Sequence, residues 1–486
     1  MSKRAAFSTG FLLSLLLLAF SDLPGKRQAA SADPADAAKI ISFLRDGSFR
    51  EAAKLADRLL SDPAIDPRTW ALCGLAKLKA GRIEEAEGIL EKAVSLRPEC
   101  PEAHLGLGLI AGLRNEQDAA ISRLRRAVAS PDFYEEALRR LWRAVWDRGW
   151  VSEIREVRAL AADRYARDGR LLPNWISNGL AQIEGISGKQ LFRMEAPSGS
   201  IEVPLIATDP VRRYRMISLG LNGGGEYPFH IDSALAGFLT ISPPLAEELG
   251  LVPTGSATSS GVGTAAITTR FAVLDEVRLG AVTFHDVPVM VTDVRTFDGR
   301  KEGLLGTAFL KRFNSTIDVE AGTMDLFPLD RPDLLAARID REAVAADVPL
   351  YLFDQTVVEA SFAGAPRALY ILDTAAATNL VDRPFFEEHI KPGLDPARIV
   401  RGGIRGAGGD QFVNQVDGLN VGLGAFVMDG LQANEFDMAT LNEISGRYAA
   451  GLLGNPILWP YRVHLDFKNA RLVLERRAMT QSRLKK

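Results

Sequence analysis

Cysteine occurs only at Cys73 and Cys100, and histidine only five times, in a chain of 486 residues. Two cysteines cannot build the disulfide framework that staples small secreted domains. Cys73 falls on the packed face of a helical pattern and reads as a small buried residue; a bridge to Cys100 stays open. His104, His230, His285, His389 and His464 lack the spacing of a metal-binding set, so each reads as a surface or strand residue, and neither a metal nor another cofactor is expected. His230 stands two positions before Asp232 and can tune that acid. An excess of either charge is also missing. The formal net charge is -3, and Arg123, Arg125 and Arg126 sit at helical spacing among acids, which is a solvated face and argues against a nucleic-acid partner. Ser259 and Ser260 have no nucleophile-elbow context. Gly403-Ile404-Arg405-Gly406 and Gly422-Leu423-Gly424 stand outside any strand-turn-helix unit, so they read as hairpin turns and not as phosphate loops.

What is present divides the chain. With 486 residues, two or three cores are expected, and 43 glycines imply many turns. Lys3 and Arg4 precede the apolar run Phe11 to Phe20, the pattern of an export signal, with a small-x-small cleavage pattern at Ala30-Ser31-Ala32. Residues 1–32 are therefore read as a signal peptide and the mature chain as periplasmic or extracellular; an uncleaved N-terminal anchor is the alternative. No later run reaches the roughly eighteen apolar residues of a membrane span.

From 33 to 185 the pattern is helical. Gly47, Gly81, Asn115 and Gly149 recur every 34 positions, where a turn between paired helices needs a left-handed residue. Trp70, Gly74, Ala86, Leu90, Ala93 and Pro98 supply large and small residues in an order that resembles the tetratricopeptide repeat, and His104, Gly108, Ala120, Leu124 and Ala127 answer in the next unit. About four helix pairs follow. The resemblance implies a scaffold that recruits a protein partner or substrate; a spacer or dimerisation surface is the plainer alternative.

Near residue 186 the helical period gives way to short alternating strands: Ser200 to Ile206, Tyr214 to Leu221, Pro228 to Ile231, Ile267 to Leu274, Val277 to Leu279 and Val287 to Val291, with one helical signature at Pro244 to Leu249. This region, 186–330, repeats itself after a connector at 331–346. In 347–478 Asp373 answers Asp232, Gly406-Ala407-Gly408 answers Gly261-Val262-Gly263, Leu423-Gly424 answers Leu279-Gly280, Gly454 answers Gly306, and the Asp466 strand answers the Asp318 strand. Five landmarks in unchanged order signal an internal duplication. Residues 479–486 form a basic tail.

Each half reads apolar-apolar-Asp-Ser/Thr, as Phe229-His230-Ile231-Asp232-Ser233-Ala234 and Tyr370-Ile371-Leu372-Asp373-Thr374-Ala375, and later Leu-Leu-Gly at 304–306 and 452–454. In these motifs the chain resembles the pepsin-like and retropepsin-like aspartic peptidases over about residues 195 to 476. It departs from them at Ala234 and Ala375, where that family has glycine. The resemblance implies an all-β, two-lobed acid-protease fold behind the all-α repeats, with Asp232 and Asp373 as a catalytic dyad activating water. It also implies that Ser233 and Thr374 hydrogen-bond across the floor, and that Gly261, Gly263, Gly406, Gly408 and Gly409 lie in flaps over an extended polypeptide substrate. Both lobes lie in one chain, so no dimer is needed to complete the site. An inactive peptide-binding module on the same fold is the alternative function.

Overall fold

The computed structural model describes residues 34–62, 65–184, 186, 190–206, 215–259, 267–294, 299–352 and 354–477. The expected signal peptide, the basic tail and the flap residues Gly261 and Gly263 lie outside them. Among the described residues no helix is long and apolar enough to cross a membrane.

Among the described residues nine helices come first: α1 (Pro34–Arg45), α2 (Phe49–Leu59), α3 (Pro67–Lys79), α4 (Ile83–Leu96), α5 (Pro101–Leu113), α6 (Gln117–Ala127), α7 (Tyr134–Arg148), α8 (Val151–Arg167) and α9 (Asn174–Glu184). Their boundaries follow from local chemistry. Asp66 caps α3 by accepting from the N–H groups of Arg68 and Thr69, with Pro67 pre-set for the first turn. α2 buries Phe49, Ala52, Ala53, Leu55, Ala56 and Leu59, one face of a helix. The turns within the first four pairs fall at the 34-residue landmarks, with φ of 76° at Gly47, 90° at Gly81, 60° at Asn115 and 81° at Gly149. Small residues then set the helix spacing. A Cβ at Gly74 would stand 2.6 Å from Leu90, and one at Gly106 only 2.5 Å, so α3, α4 and α5 close on that single leucine. Cys73 and Cys100 are both buried free thiols, so no bridge joins them.

The remainder is β-rich. β1 (Arg193–Glu195), β2 (Ile201–Pro204), β3 (Met216–Leu221), β4 (Glu226–Ile231), β5 (Leu239–Ile241), β6 (Thr254–Ser259), β7 (Ile267–Leu279), β8 (Val282–Thr292), β9 (Gly303–Leu305), β10 (Phe313–Asp318) and β11 (Thr323–Pro328) precede the connector, with the short helices α10 (Pro243–Glu248) and α11 (Thr307–Leu310) among them. The stretch read as a connector holds helix α12 (Pro332–Arg338) and the start of β12 (Val344–Leu352). Then come β13 (Thr356–Phe362), β14 (Ala368–Leu372), β15 (Asn379–Asp382), β16 (Ile399–Gly406), β17 (Gly409–Leu423), β18 (Phe426–Phe436), β19 (Gly451–Leu453), β20 (Tyr461–Asp466) and β21 (Arg471–Arg476).

The two runs expected at Ile267 to Leu274 and Val277 to Leu279 are one strand, β7. Glu276 between them is held inside the ladder: it lies opposite His285, and its N–H and carbonyl bond Asn222. His104 is also placed differently from its expectation as a surface or strand residue. It is fully buried in α5, where the Pro98 carbonyl, 2.7 Å from its Nε2, gives the ring a polar partner inside the helical domain.

Strands β1 and β3 to β9 form the first sheet, in the order β1-β8-β5-β9-β4-β3-β7-β6. The second sheet contains the other lobe and continues through β12, β21, β20, β10, β11 and β2, a platform to which both lobes contribute strands. Its central seam pairs β10 antiparallel to β20. The helical domain packs directly on this body. Ala71, Leu78 and Leu113 share one buried cluster with Tyr351, Val357 and Leu369, and the Tyr448 N–H donates to the Lys79 carbonyl at 2.8 Å. A cavity of about 520 Å³ opens between them, lined by Arg45, Lys79, Tyr134, Arg139, Arg140 and Glu443 among others, and neither Asp232 nor Asp373 borders it.

Candidate active site

The two acids leave their strands in the same way. In the first lobe, β9 lies between β4, to which it runs parallel, and β5, to which it runs antiparallel, and the Asp232 N–H donates to the Leu305 carbonyl at 2.9 Å. In the second, β19 runs parallel to β14, and the Asp373 N–H donates to the Leu453 carbonyl at 2.9 Å. Each apolar strand thus ends on an acid pinned by the Leu-Leu-Gly strand beside it. The final glycine of that motif is a close approach. A Cβ at Gly306 would lie 2.3 Å from the Gly237 carbonyl oxygen, and one at Gly454 would lie 2.3 Å from that of Thr378. Only a bare backbone lets the loop after each acid fold back this tightly.

Beyond each acid the backbone turns its N–H groups onto the carboxylate. Asp232 Oδ1 accepts from Ala234 and Leu235, both at 2.9 Å. Asp373 Oδ1 accepts from Ala375 at 2.8 Å and from Ala376 at 2.9 Å. Ala234 and Ala375, where the resemblance led one to expect glycine, are absent from the residues of positive φ, so the methyl group is carried without backbone strain.

The hydroxyls of the next residues cross between lobes. Ser233 Oγ donates to the Leu372 carbonyl at 2.6 Å and accepts the Thr374 N–H at 3.1 Å. Thr374 Oγ1 donates to the Ile231 carbonyl at 2.6 Å and accepts the Ser233 N–H at 3.1 Å. Both side chains are fully buried, so these four bonds form out of competition with water. They fix the two strand ends, and with them the two acids, in one frame.

Electrostatics follow from this placement. Burial, and then the charge of Asp232, push the Asp373 carboxyl up to about 8, against the pull of the Ala375 and Ala376 N–H groups. Burial raises Asp232 as well, while the N–H groups of Ala234 and Leu235 and the nearby His230 act in the other direction. Two acids that resist ionising together retain a proton between them near neutrality. Such a pair can deprotonate a water with one member and protonate a carbonyl oxygen with the other.

Gly406 and Gly409 close the hairpin of β16 and β17, paired across its end, with Ala407 and Gly408 at the tip. Ile404 and Val413 of this hairpin join an apolar cluster with Ile371, Leu380 and Leu452, on which Ala234 and Ala376 also pack. The hairpin is therefore anchored to the same layer that carries the acids. On its other face Phe412 is 74% exposed, under the Arg401 guanidinium at 5.3 Å.

Two supporting residues are not among those singled out from the sequence. Thr307 Oγ1 donates to the Ser233 carbonyl at 2.8 Å, and Thr356 Oγ1 lies 2.9 Å from the carbonyls of both Ser233 and Leu372. Thr307 directly follows Leu-Leu-Gly and was visible in principle as part of that motif; Thr356 carries no local signal.

A sequence model of the aspartyl protease family matches residues 217–309, which contain Asp232 and the whole first motif. Among solved structures the chain is similar to conglutin gamma, a basic 7S globulin from lupine seeds, at 10% identity over 58% of this chain and 96% of that one, with a TM-score of 0.36. It is also similar to basic 7S globulin from soybean, at 11% identity over 58% of this chain and 98% of that one, with a TM-score of 0.34. None of the curated proteins matches.

Proposed function

We propose that the chain is an exported aspartic endopeptidase, in which Asp232 and Asp373 activate a water against the peptide carbonyl of an extended polypeptide. The observation that carries this reading is the reciprocal pair of hydrogen bonds between Ser233 and Thr374, which holds two half-buried acids in one frame where the charge of one opposes ionisation of the other. One acid takes the water's proton as the attacking oxygen forms its bond to carbon. The other gives its proton to the carbonyl oxygen, and a proton then passes to the leaving amide nitrogen as the C–N bond breaks. The family match across the first motif supports the same chemistry.

The Gly406–Gly409 hairpin acts as the flap over the cleft, its exposed backbone edge offering hydrogen bonds to an extended peptide. The left-handed turns 34 residues apart support a helical array of the tetratricopeptide type, which would recruit a protein partner or present a substrate. The deciding experiment is cleavage of a mixed peptide library by the purified chain from acidic to neutral pH, beside Asp232→Asn and Asp373→Asn. Turnover by the wild type that both variants lose supports the dyad; peptide binding without turnover at any pH refutes the enzyme.

A further inference from the structure

The loops that follow the two acids correspond residue for residue, yet they are not held alike. In the first lobe the Leu235 carbonyl accepts from the Thr307 N–H at 2.8 Å and that of Gly237 from the Ala308 N–H at 3.2 Å. The Ala236 carbonyl between them accepts from the guanidinium of Arg143, on α7 of the helical domain. In the second lobe the Ala376 carbonyl accepts from the Asn455 N–H at 2.8 Å, in the same manner as Leu235. Ala377, the counterpart of Ala236, is exposed at the surface. One loop of an otherwise symmetric pair is thus clamped by another domain.

The same helix holds two more points behind the site. Arg140 Nη1 donates to Asp354 Oδ2 at 2.6 Å, and Arg143 Nε lies 3.8 Å from Asp354 Oδ1. Asp354 stands two residues before Thr356, whose N–H donates to the Ser233 carbonyl at 2.9 Å. Asp147, 5% exposed, accepts from Lys311 Nζ at 2.6 Å, and its backbone carbonyl accepts from Arg312 at 2.7 Å. Lys311 and Arg312 directly follow α11, whose Thr307 also donates to Ser233. Asp147 in turn lies 3.1 Å from Arg143 Nε, which fixes the guanidinium's orientation toward Ala236. Three anchors on one helix converge on the backbone that carries Asp232 and Ser233.

We infer that Arg143 is a positioning residue for the Asp232–Asp373 pair, and that α7 is a strut of the active site and not only part of a recruiting surface. This rests on the peptidase reading above. The Ala236 carbonyl lies one residue beyond Leu235, whose N–H holds the Asp232 carboxylate. Releasing it frees the loop to shift those N–H groups, and a misplacement of about 1 Å can cost catalysis about a hundredfold.

The experiment compares the full chain with Arg143→Ala, Arg143→Lys and Arg125→Ala, using a peptide that the wild type cleaves. Arg125 pairs with Glu156 on the outer helical surface and serves as the control. Arg143→Ala is expected to lower kcat by about tenfold to a hundredfold, with KM changed by less than about threefold, and to move the basic limb of the kcat–pH profile. Arg143→Lys restores part of kcat, and should Arg143→Ala not fold, it is expected to show a smaller loss of the same kind. Arg125→Ala leaves kcat and the profile unchanged. A folded Arg143→Ala, or failing that Arg143→Lys, that keeps the wild-type kcat and pH profile overturns the inference, even if its melting temperature falls. A wild type that cleaves nothing refutes the peptidase reading instead, and this inference with it.

Discussion

Ser233 and Thr374 exchange hydrogen bonds in both directions across 141 positions of sequence, each hydroxyl accepting the other's backbone N–H at 3.1 Å. The bonds are buried, so losing a hydroxyl strands the N–H and the carbonyl it served. Thr374→Val, of nearly equal volume, is expected to cost about 2–4 kcal/mol for the pair of lost bonds and to depress turnover. Thr374→Ser, which keeps both bonds, is expected to stay within about 1 kcal/mol of wild type. Urea unfolding and kcat on the same preparations check both.

The acids predict a pH dependence whose sign is fixed. Asp373 is raised to about 8 in the folded chain, well above an unfolded aspartate near 3.9. Between those values the folded state holds more protons than the unfolded one, so stability falls as pH rises through the window. Asp373→Asn removes that loss and is expected to be more stable than wild type at pH 8, by on the order of 1–3 kcal/mol, while being inactive. Near pH 4 the advantage disappears. Wild-type turnover is expected to persist toward neutrality and to fade as pH passes about 8, when the shared proton leaves.

His464 gives the opposite slope. It is fully buried between Thr316, 2.8 Å from Nδ1, and Glu475, 3.0 Å from Nε2, with Arg462 bound to the same carboxylate. Burial lowers its pKa to about 4, against the pull of Glu475. An unfolded histidine titrates near 6.5. Between these values the unfolded state binds more protons, so stability falls as pH drops from about 6.5 to 4. His464→Gln is expected to flatten that part of a melting-temperature profile, at a cost of about 1–3 kcal/mol at pH 7 from imperfect replacement of its hydrogen bonds.

The glycines and alanines around the acids are expected to respond unequally. Gly454→Ala sets a methyl 2.3 Å from the Thr378 oxygen, and the loop must move; a loss of about 3 kcal/mol or more and of most turnover is expected. Ala234→Gly and Ala375→Gly leave the N–H groups at the distances they already hold, so turnover is expected to stay within about threefold of wild type. Their cost is about 0.5–1 kcal/mol, through the greater freedom of the unfolded chain. Thermal melts and kcat separate the two classes.

The sequence disclosed what is local or repeated. Gly47, Gly81, Asn115 and Gly149 announce their turns because a left-handed backbone restricts residue type. The Asp232 and Asp373 motifs announce themselves because the strand, the acid and the hydroxyl are contiguous and occur twice. The break expected between Leu274 and Val277 is absent, because Glu276 there is held by Asn222, a partner distant in sequence. The Arg143 contact with Ala236 spans 93 positions. A long basic side chain on a helix looks the same whether it meets solvent or a carbonyl of another domain, and no periodicity separates the two.

The seam of the platform carries one more consequence. In it Ser315 lies opposite Leu465, Thr316 opposite His464 and Ile317 opposite Val463. Thr316 and His464 are 148 positions apart, and by that same offset Ser315 corresponds to Val463 and Ile317 to Leu465. The pairing is therefore isologous, as between two copies of one chain about a twofold axis through Thr316 and His464. What α12 and its flanks add is a tether, which raises the effective concentration of one lobe for the other. The two equivalent positions on that axis are not alike, one a buried threonine and the other a buried histidine, in contact at 2.8 Å.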